Sequence, residues 1–462
     1  MRSERAVFGK VLIANRGEIA CRIIQTCRNI GVSAVAVYTS AEGVPLHAEL
    51  ADEAYELPER ETPAMSYLDA EAIVDIAVRS GADAIHPGYG FLSESYALTE
   101  QCAKHGVVFI GPRPELARLM ADKWEAREKM DSLGVPVLPG VNVNAADPAS
   151  VDAGAAEIGF PLMVKANDGG GGIGMQMVEH PDRLHDAVLR ASSTALRAFG
   201  SDLVYFEKLV KPTRHIEVQI IADELGNTRH LWERECSAQR RHQKVIEEAP
   251  APSLPPSVCQ SLVDWAENAA RATNYAGAGT FEFLVDDSYS AFFLEANTRL
   301  QVEHGITEAV TGVDIVEQQL RAAAGLPLSV EDDVPLNGYA VECRIYAEDP
   351  RTFIPWPGTL DTLRLPTMPD LRIDSGFREG DVVTPYFDPL IAKFISWGDT
   401  RDEAIWLMQE ALDATEVRGV ATNIGALHVA LVHPDFVAGL YTTDLIGSLS
   451  RYGDVLPRLG WG

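Results

Sequence analysis

Along Glu295-Ala296-Asn297-Thr298-Arg299-Leu300-Gln301-Val302-Glu303 every odd position can bind an ion or move a proton, and every even one is small, apolar or Thr. In an extended chain alternate side chains share a face, about 6.6 Å apart, so these five would form a row. Eight residues span about 26 Å when straight, too long for one small ligand. The row is therefore expected to do two jobs: metal binding near Glu295 and Asn297, and anion and proton chemistry near Arg299 and Glu303. Glu282, on the polar side of GTFEFLV, is expected to face Glu295 across a hairpin turning at Asp286-Asp287-Ser288. Two carboxylates and an amide oxygen are hard ligands suited to Mg²⁺. A solvated sheet face would also alternate, but it rarely reads Glu, Asn, Arg, Gln, Glu with so little Lys, Ser or Thr.

Two further segments carry charge where phosphate could lie. Lys165-Ala-Asn167-Asp168-Gly169-Gly170-Gly171-Gly172-Ile173-Gly174-Met175 falls between strand-like runs, so it reads as a hairpin flap whose N–H groups can surround phosphate. No Gly-x-x-x-x-Gly-Lys-Ser/Thr occurs, which excludes a P-loop. A glycine cluster alone is more often a flexible turn, and Lys165 beside it shifts that balance. Cys236-Ser-Ala-Gln239-Arg240-Arg241-His242-Gln243-Lys244 is the densest basic run in an acidic chain. Read alone it could be an exposed patch; period-two spacing of His242 and Lys244 would set two donors beside an anion.

The elements that must position these groups follow from periodicity. From Lys10 to Pro112, β-branched runs (VLIAN, SAVAVYTS, ADAIHPG, VVFIGP) alternate with helical stretches, the pattern of a parallel sheet flanked by helices. Its first turn, Ala14-Asn15-Arg16-Gly17-Glu18, lacks the spaced glycines of a dinucleotide site. Residues 113–137 read as a helical linker, residues 138–209 as a small unit holding the flap, and residues 210–462 as a third unit. That third unit opens with an antiparallel hairpin, IEVQIIAD-ELGN-TRHLWERE.

Length, 462 residues, fits about three domains. With 39 basic against 67 acidic residues the net charge is −28, which repels nucleic acid and anionic membranes and leaves any anionic ligand dependent on a local basic site. No apolar run reaches the roughly 18 residues of a membrane span, and the N-terminus has no signal-peptide core, so a cytoplasmic location is expected. The six cysteines have neither Cys-x-x-Cys nor zinc spacing and read as reduced thiols.

Taken together, KVLIANRGEIACRI, HPGYGFLSE, KANDGGGGIGM, RHIEVQI, ERECSAQRRHQKVIEEAPAP, GAGTFEFL, LEANTRLQVEH, VECRIYAEDP and PYFDPLIAK resemble biotin carboxylase of the ATP-grasp superfamily, over Lys10 to about residue 445. The resemblance implies an α/β fold: an N-terminal Rossmann-like domain, an ATP-grasp unit with a mobile glycine-rich lid, and a C-terminal domain completing the biotin site. It implies that Lys123, Lys165, Gly171, Gly172, His215, Gln239 and His242 contact ATP, with Glu207, Lys208, Leu209 and Val210 lining the adenine pocket. Glu282, Glu295 and Asn297 match the ligands of Mg²⁺ or Mn²⁺ beside the nucleotide. Lys244, Arg299, Gln301 and the Val302 backbone match the bicarbonate site, with Glu303 as general base and Arg344 facing the biotin ureido oxygen.

The sequence departs from the family pattern at Asp168, Ile173 and Gln176, which make the flap less positive, and at Gly305 and Phe387 in place of proline and tyrosine. No Met-Lys-Met biotinylation sequence occurs before Gly462. The resemblance therefore implies a homodimeric subunit that meets a biotin carboxyl carrier protein and a carboxyltransferase in trans, as in acetyl-CoA carboxylase or a related acyl-CoA carboxylase. Two rivals share the fold: another ATP-grasp ligase joining a carboxylate to an amine or thiol, and a catalytically silent regulatory paralogue.

Overall fold

The computed structural model describes residues 7–167, 174–241 and 243–449. The first layer is a five-stranded parallel sheet: β1 (Lys10–Ile13), β2 (Ser33–Tyr38), β3 (Glu53–Glu56), β4 (Ala84–His86) and β5 (Val108–Phe109), in the order β3-β2-β1-β4-β5. The helix Gly17–Asn29 covers it with Ile19, Ala20, Ile23, Ile24 and Cys27, apolar at helical spacing and all buried. The helix Ala70–Ser80 begins where Asp69 accepts the Ala72 N–H at 3.0 Å and stops at Gly81, whose φ of 70° suits glycine. Edge strand β3 is not foreshadowed by an apolar run: in EAYE the residues alternate between half-buried and exposed.

The stretch after β5 is helical, as its pattern requires, but in two pieces, Pro114–Ala121 and Lys123–Ser132. Asp122 leaves the helical region (ψ 106°) and its carboxylate accepts the N–H groups of Trp124 and Glu125, both at 2.9 Å. This break starts the second helix at Lys123.

A four-stranded antiparallel sheet follows: β6 (Gly140–Val143), β7 (Leu162–Ala166), β8 (Gln176–Val178) and β9 (Val204–Lys208), in the order β6-β9-β7-β8. The glycine flap joins β7 to β8, and its residues 168–173 lie outside the described residues.

The largest sheet has eight strands: β10 (Thr213–Ala222), β11 (Thr228–Arg240), β12 (Gln243–Ala249), β13 (Gly277–Asp286), β14 (Ala291–Asn297), β15 (Tyr339–Tyr346), and the strands Leu390–Gly398 and Leu371–Ser375. Neighbours pair antiparallel throughout. All ten residues of β10 are buried. Its alternation therefore does not separate core from water: Ile216, Val218 and Ile220 pack under the helix Pro256–Ala272, while Glu217 and Gln219 meet the buried Arg234. All six cysteines are free.

Candidate active site

The hairpin β13–β14 sets Glu282 directly opposite Glu295, as expected from the alternation. Asn297 Nδ2 donates to Glu282 Oε1 at 2.9 Å. Cations face both acids: Lys123 Nζ bonds Glu295, His215 Nε2 lies 2.7 Å from Glu282 Oε2, and Lys244 Nζ lies 3.0 Å from Glu282 Oε1. Burial works against the charge of Glu282, but Lys244 and His215 outweigh it and hold the carboxyl below the usual range; Lys123 does the same for Glu295. Two ionised carboxylates and an amide oxygen fit Mg²⁺ or Mn²⁺. His215, Glu217 and Glu282 also converge within 4.8 Å, but Glu217 is fully buried and already bonded to Arg234 and Lys244.

The expected straight row from Glu295 to Glu303 is not what forms. Pairing with β13 ends at Thr280 and Asn297, the chain turns through residues 298–303, and Glu303 becomes the residue that opens the helix His304–Thr311. Alternation in sequence cannot distinguish a continued strand from a turn running into a helix. The turn gathers the second half of the row instead of extending it. Glu303 Oε1 lies 2.6 Å from Lys244 Nζ, and its Oε2 lies 3.0 Å from Arg344 Nη2. Arg299 donates to Gln301 Oε1 (2.8 Å) and Asn297 Oδ1 (3.0 Å), so metal end and anion end adjoin. Burial opposes the Glu303 charge, yet Lys244, Arg344 and Arg234 together hold its carboxyl well below the ordinary value.

At the end of the cavity where nucleotide contacts are expected, Lys165 on β7 bonds Glu207 on β9. Gln239 Nε2 meets His215 Nδ1 at 2.7 Å. Lys208 Nζ turns to the carbonyls of Phe160 (3.1 Å) and Gly159 (3.4 Å). Leu209 and Val210 complete this wall. The expected contacts Gly171, Gly172 and His242, and the departures Asp168 and Ile173, lie outside the described residues. Every other residue expected at the site lines one cavity of about 1040 Å³, including Lys123, Gln301 and the Val302 turn.

Three groups that sequence reasoning did not assign also belong here. Glu94 lies 3.2 Å from Arg299 Nε, Glu217 bonds Lys244, and Glu247 Oε1 lies 2.5 Å from Arg344 Nη2. Period-two placement with His215 in β10 marks Glu217; Glu247 stands three residues from Lys244 on β12, and nothing local marks it or Glu94. At Gly305 a Cβ would meet Ile395 Cδ1 at 2.4 Å, so the usual proline there requires the end of the Ile395 side chain to shift. Phe387 lies under the Arg16 guanidinium, 4.1 Å from its centroid, and edge-on to Tyr67.

Paired carboxylates on an antiparallel sheet behind a parallel α/β domain, with a glycine-rich segment linking β7 to β8 in a smaller sheet, define an ATP-grasp enzyme. Family descriptions match in sequence order: "Biotin carboxylase, N-terminal domain" over residues 7–117, "Carbamoyl-phosphate synthase L chain, ATP binding domain" over 122–331, and "Biotin carboxylase C-terminal domain" over 342–448. Biotin carboxylase 2 of Bacillus subtilis is 48% identical over 441 residues, covering 95% of this chain and 99% of its own. The methylcrotonoyl-CoA carboxylase alpha subunit of Rattus norvegicus is 45% identical over 97% of this chain, which spans 63% of that protein. The biotin carboxylase–βγ-ATP complex of Campylobacter jejuni superposes with TM-score 0.93 at 42% identity, covering 96% of this chain and 99% of that one. The biotin carboxylase domain dimer of Hydrogenobacter thermophilus 2-oxoglutarate carboxylase, with MgADP, ADP and bicarbonate, gives 0.93 at 41% identity over 97% and 98%. The chain belongs to the biotin carboxylase family, and it is an ATP-dependent enzyme.

Proposed function

We propose that this chain uses MgATP and bicarbonate to carboxylate biotin on a separate carrier protein, with the residue roles that follow. The observation that carries the reading is the contact of Glu303 with both Lys244 and Arg344 in the cavity that also holds Glu282 and Glu295.

Bicarbonate is a poor nucleophile. Lys244, Arg299, Gln301 and the Val302 N–H hold it, and Glu303 takes its proton as an oxygen attacks the γ-phosphorus and the bond to ADP breaks. Glu303 is ionised before substrate arrives, and its two cations turn in part to the bound anion. Glu282, Glu295 and Asn297 would hold Mg²⁺ or Mn²⁺, which would supply neutralisation of charge on the phosphates. Lys123, Lys165 and His215 place the nucleotide, and by the family resemblance Gly171, Gly172 and His242 are further ATP contacts. Carboxyphosphate then yields CO₂ and phosphate, the phosphate removes the biotin N1′ proton, and Arg344 stabilises the ureido enolate that attacks CO₂.

A carrier and a carboxyltransferase act in trans, the chain works as a homodimer in the cytoplasm, and the units run 1–112, 113–137, 138–209 and 210–462. No helix among the described residues is long and apolar enough to cross a membrane. The test is ADP release: free biotin should raise a bicarbonate-dependent rate. Stimulation by an amine in place of biotin would overturn the reading.

A further inference from the structure

Lys393 does not line the cavity and has no part in the chemistry above, yet its side chain is fully buried where β15, the strand Leu371–Ser375, the Val302 turn and the first helix meet. It stands on Leu390–Gly398 directly opposite Arg344 of β15, and directly opposed residues of antiparallel strands share a face. Its other cross-strand partner is Asp374, whose Oδ2 lies 3.8 Å away. The ammonium donates to the Val302 carbonyl at 2.7 Å and lies 3.4 Å from Glu18 Oε2 on the first helix; Glu18 Oε1 accepts the Tyr89 hydroxyl.

We infer that Lys393 is a positioning residue: its ammonium fixes the Val302–Glu303 peptide from behind, and through Glu18 fixes Tyr89, so that the bicarbonate turn is shaped before substrate binds. This rests on the function proposed above. A lysine taken wholly out of water costs several kcal/mol unless paired and hydrogen-bonded. Here the partners that compensate, Val302, Glu18 and Asp374, come from three segments far apart in sequence, and two of them, Val302 and Glu18, line the cavity. The bond to Val302 constrains the peptide that precedes the proposed base, while the nucleotide contacts lie on other strands. Removing it should therefore act on bicarbonate and not on ATP.

The test compares Lys393→Met, Lys393→Arg and Glu18→Gln in the full chain, by steady-state kinetics in bicarbonate and by MgATP titration. Lys393→Met should raise KM for bicarbonate about tenfold, the effect of losing one charge-assisted hydrogen bond, with MgATP affinity within about twofold. Lys393→Arg, which keeps a cation and a donor, should recover most of that loss. Glu18→Gln keeps the shape and guards against misfolding of the Met variant; it should raise the bicarbonate KM about threefold. Unchanged bicarbonate KM in Glu18→Gln and in any folded Lys393→Met, or a parallel fall in MgATP affinity, overturns the inference. Absence of bicarbonate-dependent ADP release from the unsubstituted enzyme would instead overturn the proposed function, and this assignment with it.

Discussion

Arg344 Nη2 stands 3.0 Å from Glu303 Oε2, so the group proposed to face biotin and the group proposed to take the bicarbonate proton are in direct contact. The same nitrogen lies 2.5 Å from Glu247 Oε1, on the strand next to β15. A planar guanidinium can hold two carboxylates and still offer a donor to a third oxygen; an ammonium is a point charge without that fork. Arg344→Lys should lower biotin-stimulated ADP release by about 10- to 100-fold, with MgATP affinity nearly unchanged. Paired rate and binding measurements check this.

Glu303→Gln keeps the shape and removes the base. Because general acid–base groups contribute about 10²–10⁴-fold, bicarbonate-dependent turnover should fall by at least about 100-fold while nucleotide still binds. Lys244 and Arg344 both lose an anion in this variant, so a lower melting temperature should accompany the loss. Unchanged turnover would show that the proton goes elsewhere.

Metal removal has a readable signature because the two carboxylates expected to hold the ion, Glu282 and Glu295, are also held by Lys244 and Lys123. Chelation by EDTA should abolish ADP release, and Mg²⁺ or Mn²⁺ should restore it. Glu295→Gln should raise the Mg²⁺ concentration needed for half-maximal rate about tenfold, by removing one hard anionic ligand. A magnesium titration at saturating ATP measures it.

The opposition of Glu282 and Glu295 was legible in the sequence because a hairpin preserves period two across its turn, and βαβ alternation foretold the parallel sheet. The turn at 298–303 was not legible: Arg299, Gln301 and Glu303 keep the strand spacing although the backbone has left the strand. Nor was the burial of both faces of β10, since Glu217 looks like a solvent-side residue until Arg234 and Lys244 arrive from other strands. Glu94 and Lys393 reach the site's supports through tertiary contacts spanning more than one domain, which no local pattern encodes.

Glu247 gives the protein a pH dependence that can be isolated. Burial pushes its carboxyl up to about 7, against the pull of Arg344, from an ordinary value of 4.5. Glu342 is its direct cross-strand partner; it too is fully buried, and burial raises it as well. Between about pH 4.5 and 7 the folded chain thus keeps a proton that the unfolded chain has released. The stability linked to that proton is fully present below 4.5 and is lost as pH rises through 7, at up to about 1.4 kcal/mol per pH unit. Glu282 and Glu303, held low by their cations, contribute in the opposite sense, losing stability as pH falls through their lowered values. Glu247→Gln should therefore be destabilised least, relative to the unsubstituted protein, at the upper end of the range. Its melting temperature should decline less steeply from pH 5 to 8, the two curves differing in slope by an amount worth about 3 kcal/mol over the whole range. Parallel melting curves across that range would show that Glu247 is ionised throughout.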